Sequence, residues 1–434
     1  MATRPSLREA PHLSGFKAGD VLVLFGELFS RGYANGLVDE AERLGMTVIR
    51  TTVGRREKDG ILRALTAEEM ADIPKPFINI PLEAGFDLEP DSKGVSPVDQ
   101  LKDIKLSDWE NAKLDQQSLD ESHKKAVSRF RANTAEYLKQ LEPLIPAGAN
   151  VLFAHLMAGG VPRTKIVMPL INRTVKGTGD RYLPSEKLWN SEIGRFCAQN
   201  FLEVTAETLR HLLELSAGLR QSLETRGSRV SYLAYGYHGT EILIDGKYQW
   251  QTYTPYIQGW AKKQLEEISK SFHAQNVRTC VYNCPEILTN SSSIFQGVEV
   301  SLYPLLQAFQ KEAPNAPITK RLLEDCAAHL VNGKDSFEEI RRQTDAYFSN
   351  PVIQEKCVFD QWPQHTSAIQ LETMLNTSES LQALHKDPKQ LITAVLSEAV
   401  FEACGRLMLH DSWSASHPVN WLGHDGVART LGAP

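Results

Sequence analysis

An α/β fold is what the sequence predicts: a doubly wound, mostly parallel sheet with long insertions and a helical C-terminal extension. Three observations carry this. Short apolar runs suited to strands buried on both faces alternate with long helical patterns. The first run leads through a glycine-bearing turn and a helix to a second run, the half-unit of Rossmann-like dinucleotide-binding sheets. From about residue 300 onward the pattern is helical.

Val21 to Phe25 is a continuous apolar run and the first expected strand. GELFSRGYANG is the turn, and LVDEAERLG the helix, closed by Gly45 before the strand from Met46 to Ile49. Further strands are expected at Phe77–Ile80, Asn150–His155, Arg229–Tyr235 and Val277–Tyr282. Helical patterns lie between them, over about 117–143, 190–224 and 258–275. About 85–116 and 161–189 read as long insertions, rich in Gly, Pro and charge. About 242–252 reads as a hairpin with an Asp245-Gly246 turn. The organisation is a dinucleotide-binding domain over 15–310 and a helical extension over 311–434 packed on it.

The chain has 434 residues, 42% hydrophobic and 23% charged, with a formal net charge of −6. Nothing in that balance favours nucleic acid or an anionic membrane as a partner. The six cysteines are scattered without a CxxC, as in a reduced cytoplasmic protein. No apolar run reaches the roughly 18 residues of a membrane helix. His410, His417 and His424 are spaced by seven and match no metal-ligand pattern, so no metal is expected.

In the turn, Gly26 permits a sharp exit from the strand, Gly32 a close approach to a pyrophosphate, and Gly36 close packing of the helix on the sheet. Arg31 and Tyr33 lie in the same turn. Glu27 sets a carboxylate near the expected diphosphate, where Arg31 would compensate it unless it points away. After the second strand there is no acid before Glu57, and Arg55 suits a ribose 2′-phosphate; this leans the expectation to NADPH over NADH. Ala158 and Gly159 follow the fourth strand as a flexible turn facing the cofactor, and His155 ends that strand as a buried histidine.

The stretch YTPYIQGWAKK offers two tyrosines and two lysines. Thr254 and Pro255 suit a helix start, which leaves Tyr253 outside the helix. Helical spacing pairs Tyr256 with Lys263, seven residues on. Chemistry alone does not choose between the tyrosines. A hydroxyl has to reach the oxygen where enolate charge develops, with a lysine nearby to hold a ribose hydroxyl and lower the tyrosine pKa.

Several blocks resemble the enoyl-acyl-carrier-protein reductases of the short-chain dehydrogenase superfamily. GELFSRGYANG is similar to their extended cofactor turn, LAYGYHGTE to the strand end carrying their first active-site tyrosine, and GWAKKQLEE to their lysine-bearing helix. Tyr253 precedes Lys262 with eight residues between, a spacing that resembles the trans-2-enoyl reductase branch. AHLMAGGVPRTK and VYNCPEILTNSSSIF also resemble segments of that branch. The resemblance implies reduction of a 2-enoyl thioester, on acyl carrier protein or CoA, with hydride from NAD(P)H. It implies Tyr253 as main donor to the thioester oxygen, Tyr237 as second donor or positioner, and Lys262 as ribose clamp. It also places Thr289, Ser291 and Ser292 beside cofactor and substrate. A carbonyl or ketoacyl reductase using Tyr256 and Lys263 is the alternative enzyme, and a non-catalytic dinucleotide-binding protein the alternative class. Oligomeric state stays open.

Overall fold

The computed structural model describes residues 4–8, 15–58, 60–252, 257–289, 296–355 and 362–433. Seven parallel strands form its central sheet: β1 Val21–Glu27, β2 Thr47–Thr52, β3 Phe77–Pro81, β4 Val151–His155, β5 Val230–Tyr235, β6 Thr279–Asn283 and β7 Val419–Trp421. Their spatial order is β7-β6-β5-β4-β1-β2-β3. The order reverses beside β1, so crossovers on its two sides run to opposite faces and leave a crevice at the C-terminal strand ends.

Alternation explains why β1 reads as unbroken hydrophobicity. Val21, Val23 and Phe25 enter one core, with Phe130, Tyr137 and Leu265 from the helices on that face. Leu22 and Leu24 enter the other, with Leu37, Val400 and Leu407. Successive strand residues point to opposite faces, and both faces are covered. All five are fully buried, each contributing roughly 1.5–3 kcal/mol relative to exposure. Polar bonds fix the lower edge. Asp20 accepts from the Asn150 backbone N–H and side-chain amide at 2.9 and 3.0 Å, and Asn150 accepts from the Arg229 N–H at 2.8 Å. The starts of β1, β4 and β5 are thereby tied in register.

Helices α1 Tyr33–Arg43, α2 Gln116–Leu141, α3 Val167–Lys176, α4 Glu192–Leu202, α5 Thr208–Leu215 and α6 Ile257–His273 follow in the sheet half of the chain. The hairpin forms as read: Thr240–Ile244 pairs antiparallel with Lys247–Gln251. Asp245 and Gly246 both have positive φ, 46° and 70°, as the tight two-residue turn requires. The C-terminal part is helical but also supplies β7, which pairs parallel with β6. Its helix α7, Ile392–Asp411, crosses α1 at backbone contact.

That crossing corrects the role expected of Gly36. A Cβ there would stand 1.9 Å from the Phe401 carbonyl oxygen, and one at Gly405 would stand 2.1 Å from the Gly36 carbonyl carbon. The close approach is helix to helix, not helix to sheet, and Gly36 does not line the crevice. Gly36→Ala is expected to destabilise the fold by about 3 kcal/mol, at the upper end for an overpacked site. Gly32→Ala, where an added Cβ meets nothing within 4 Å, is expected to melt with the wild type. Equal unfolding midpoints for the two variants would refute this reading of Gly36.

Candidate active site

The crevice at the strand ends is a cleft of about 270 Å³. Glu27, Arg31, Gly32 and Tyr33 line it from the first turn; His155, Ala158 and Gly159 from the end of β4; Tyr237 from the end of β5; and Ile257, Lys262 and Thr289 from the segments beyond. The sequence-predicted site is thus brought together from five stretches. Gly26, Gly36 and Arg55 are not among the lining residues, and Tyr253 and Tyr256, with Ser291 and Ser292, lie outside the described residues.

Gly26 leaves β1 with φ 120°, and a Cβ there would meet the Leu156 Cβ and Met157 Sδ at 3.1 Å. Gly32 is the N-cap of α1 with no side-chain cap, and a helix N-terminus of this kind aims its N–H groups and its dipole at an anion. Tyr33 is locked in place: its hydroxyl donates to the Pro285 carbonyl, and its ring stacks on Tyr235 at 5.8 Å and 15°. Arg31 makes an exposed pair with Glu398 at 3.3 Å, which is worth little.

Glu27 points away from the helix terminus. Its carboxylate accepts from the Arg55 guanidinium at both nitrogens, each at 2.9 Å, and from the Thr52 hydroxyl at 2.8 Å. Burial pushes this carboxyl up, but the bonds from Arg55 and Thr52 outweigh it and hold it below the ordinary glutamate value. The expectation that Arg55 would receive a 2′-phosphate is corrected: both of its terminal nitrogens are engaged by a carboxylate, so the ground for preferring NADPH is gone.

Lys262 is buried on α6 and donates from Nζ to the Tyr235 carbonyl at 2.5 Å. Burial lowers its pKa to about 8. The next residue, Lys263, turns to Glu267 and Glu266 instead and does not line the cleft. Lys262 and Glu266 are both buried, and the i,i+4 ion pair on this helix is Lys263–Glu267. The direction of the Lys262 shift has a consequence. Below about pH 8 the ammonium is charged; above it, neutral. The kcat/KM of a reaction that this cation serves is expected to fall as pH rises through about 8, since that parameter reports the free protein. Lys262→Arg stays charged and is expected to lose this alkaline limb. A wild-type pH profile flat to pH 9.5 would contradict it.

His155 is buried and stacks on Phe25. The Thr208 hydroxyl donates to the Val204 carbonyl, so its free lone pair accepts from His155 Nε2–H at 2.8 Å. Burial, followed by the nearby Lys262 charge, holds the imidazole well below its ordinary pKa, so it is neutral. Its Nδ1 has no partner among the described residues.

A network beneath Tyr237 escaped sequence reasoning. The Tyr237 hydroxyl donates to Glu286. Its neighbour His238 is buried, with Nδ1 3.0 Å from Glu266 and Nε2 accepting from the Trp362 indole N–H at 3.2 Å. An indole only donates, so Nδ1 carries the proton and points it at Glu266. The Asn283 amide also donates to Glu266 at 2.9 Å, while its oxygen accepts the His238 backbone N–H at 2.9 Å. These bonds pin the end of β5 to α6 and β6. His238 and Glu266 both stand in blocks already singled out, but no spacing rule joins residues 28 apart. The C-terminal histidines do not gather: His410 bonds Glu40 at 2.8 Å, while His424 is buried elsewhere.

A diphosphate fits the N-terminus of α1, which lines the cleft at Gly32 and Tyr33, and a ribose fits beside an ammonium that burial would otherwise disfavour. On these grounds the fold and the cleft define a dinucleotide-dependent oxidoreductase. More narrowly, the chain belongs to the family described as enoyl-acyl carrier protein reductase FabMG, whose model matches residues 3–431. It is similar to an apo structure of FabMG, a novel type of enoyl-acyl carrier protein reductase, with 45% identity over 99% of this chain and 97% of that one and a TM-score of 0.94. It is also similar to an NADH-bound structure of FabMG, with 38% identity over 99% of each chain and a TM-score of 0.78. No curated protein matches the sequence. Among the described residues no helix is long and apolar enough to cross a membrane.

Proposed function

We propose that this enoyl reductase uses NADH to reduce the 2,3 double bond of an enoyl chain carried on acyl carrier protein, with the cleft between α1 and α6 as its active site. The family match over 429 of the 434 residues carries the reaction class. The NADH found with a 38% identical relative supports the cofactor. The cytoplasm, where acyl carriers and free dinucleotide meet, is the compartment that suits this chemistry.

When bound, the dinucleotide supplies the hydride. The α1 N-terminus and Gly32 would hold its diphosphate, and Lys262 a ribose hydroxyl. Tyr253 would donate to the thioester oxygen as enolate charge develops there, with Lys262 favouring that charge from close by. Tyr237 enters as a positioning residue, because its proton is already engaged by Glu286. Neutral His155 would turn its Nδ1 acceptor toward the cleft without adding charge. The Tyr-x8-Lys spacing supports kinship with the trans-2-enoyl branch of the short-chain dehydrogenases.

The test is cofactor oxidation with crotonyl-CoA, a longer 2-enoyl-CoA and the matching enoyl-acyl carrier protein, each with NADH and NADPH. The expected order is carrier protein above CoA and NADH above NADPH. Oxidation by ketoacyl thioesters alone would transfer the assignment to the carbonyl reductases. Tight NADH binding with no oxidation by any thioester would make the protein a binder instead.

A further inference from the structure

We propose that Glu27, a residue of β1, supplies the acid that selects NADH over NADPH, and that it does so while keeping Arg55 from acting as a phosphate site. The inference rests on the dinucleotide reading of the cleft but not on the identity of the acyl substrate.

In a dinucleotide half-unit, the acid that accepts the adenosine ribose hydroxyls stands at the end of the second strand. Here β2 ends at Thr52 and runs on through Val53, Gly54 and Arg55 with no acid. The nearest downstream acid, Glu57, is bound to Arg63. Glu27 fills the gap from the neighbouring strand. It follows Gly26 at the end of β1, and its carboxylate crosses to the end of β2. There Oε2 accepts from the Thr52 hydroxyl at 2.8 Å, the Val53 N–H at 3.2 Å and Arg55 Nη1 at 2.9 Å. Thr52 Oγ1 in turn accepts the Gly54 N–H at 2.9 Å, which sets the direction of its own proton toward Glu27. The carboxylate therefore stands where an acid of β2 would, held by β2 itself, and it lines the cleft.

The two oxygens are unequally used. Among the described residues, Oε2 carries three bonds, whereas Oε1 accepts only from Arg55 Nη2 at 2.9 Å. A carboxylate oxygen has room for a second donor, so Oε1 can accept a ribose hydroxyl. A 2′-phosphate offers no donor and brings like charge to the same place. Arg55 would suit that phosphate, but its two-pronged grip on Glu27 already uses the fork that a phosphate would need. One ion pair thus both presents the acid and silences the base.

Two variants break this pair with opposite expected effects. Glu27→Gln keeps the shape and one acceptor for Thr52 and Val53, removes the charge and releases Arg55. Arg55→Gln removes the same pair but keeps the acid. Dissociation constants for NADH and NADPH, titrated by fluorescence without acyl substrate, give the preference directly. Wild-type protein should bind NADH more tightly. Glu27→Gln should shift the NADPH-to-NADH affinity ratio toward NADPH by at least about 10-fold, the scale of one charged contact. Arg55→Gln should leave that ratio at or further toward NADH. If both variants move the ratio alike, or Glu27→Gln weakens both cofactors equally, the pair only shapes the loop and the proposal falls. Wild-type protein that binds neither dinucleotide would overturn the cofactor reading beneath it, an outcome distinct from an unmoved ratio.

Discussion

Lys262→Met is expected to lower kcat/KM for enoyl reduction by about 10²- to 10³-fold, the scale on which one preorganised donor acts on a developing oxyanion. The methionine keeps the length of the stem and removes the charge. Its effect on stability is expected to be small, because two terms oppose each other. Deleting a buried ammonium relieves the desolvation that lowers its pKa to about 8. The Tyr235 carbonyl loses a donor at 2.5 Å. The lost charged hydrogen bond is worth about 1.5–3 kcal/mol, and the relieved desolvation offsets much of it. Activity should therefore collapse in a protein that still folds and melts cooperatively. Lys263→Met is the internal control: that ammonium sits with Glu267 and Glu266 outside the cleft, and its loss should change kcat/KM by less than about threefold, the ratio being roughly that of a pair remote from the reacting atoms. The NADH dissociation constant separates the two parts of the lysine's role. A ribose clamp predicts weaker cofactor binding as well as a lower kcat. Wild-type turnover in Lys262→Met would remove the residue from the site.

The choice between these lysines marks how far the sequence could be read. Adjacent helical residues point about 100° apart, so the two lysines could not both face the cleft, and helical spacing preferred Lys263. Only packing against the end of β5 sets Lys262 inward. The same limit recurs elsewhere. The unbroken hydrophobicity from Val21 to Phe25 announced a two-faced strand because that signal is local. The partner of Gly36 is not local: Phe401 lies far along the chain, and the glycine looked like a cofactor feature until α7 was laid across α1. β7 is a three-residue strand in a helical stretch, too short for any period to register. Glu27 looked misplaced beside a diphosphate, and Arg55 looked like a phosphate ligand. Their pairing resolves both, and it is a contact across 28 residues that neither motif contains. What was legible is what one element determines alone, while the site's charge arrangement is decided between elements.

Tyr253→Phe is expected to reduce kcat and kcat/KM together, again by about 10²- to 10³-fold, and Tyr256→Phe by less than about threefold. Equal losses in the two parameters are the signature of a contact made only in the transition state. A hydroxyl facing a thioester oxygen gains most of its bond strength as that oxygen becomes an enolate. Both tyrosines lie outside the described residues, so the surroundings must carry the expectation. The hairpin ends at Gln251, opposite Thr240 and against Gly239, four residues beyond the end of β5. Ile257 and Gln258, on the far side of the tyrosines, line the cleft, and so does Lys262. A tyrosine in this segment that is to meet the charge of Lys262 is the one that the Tyr-x8-Lys spacing selects, Tyr253. Tyr256 would serve Lys263, but that ammonium is directed to Glu266 and Glu267. The two point variants retain their rings, so a difference between them reads the hydroxyl and not the packing. Tyr237→Phe should fall between them, because its hydroxyl is already engaged by Glu286. Equal activity in Tyr253→Phe and Tyr256→Phe would sink the pairing. The reverse order would instead favour the Tyr256 and Lys263 arrangement of a carbonyl reductase, despite the inward lysine.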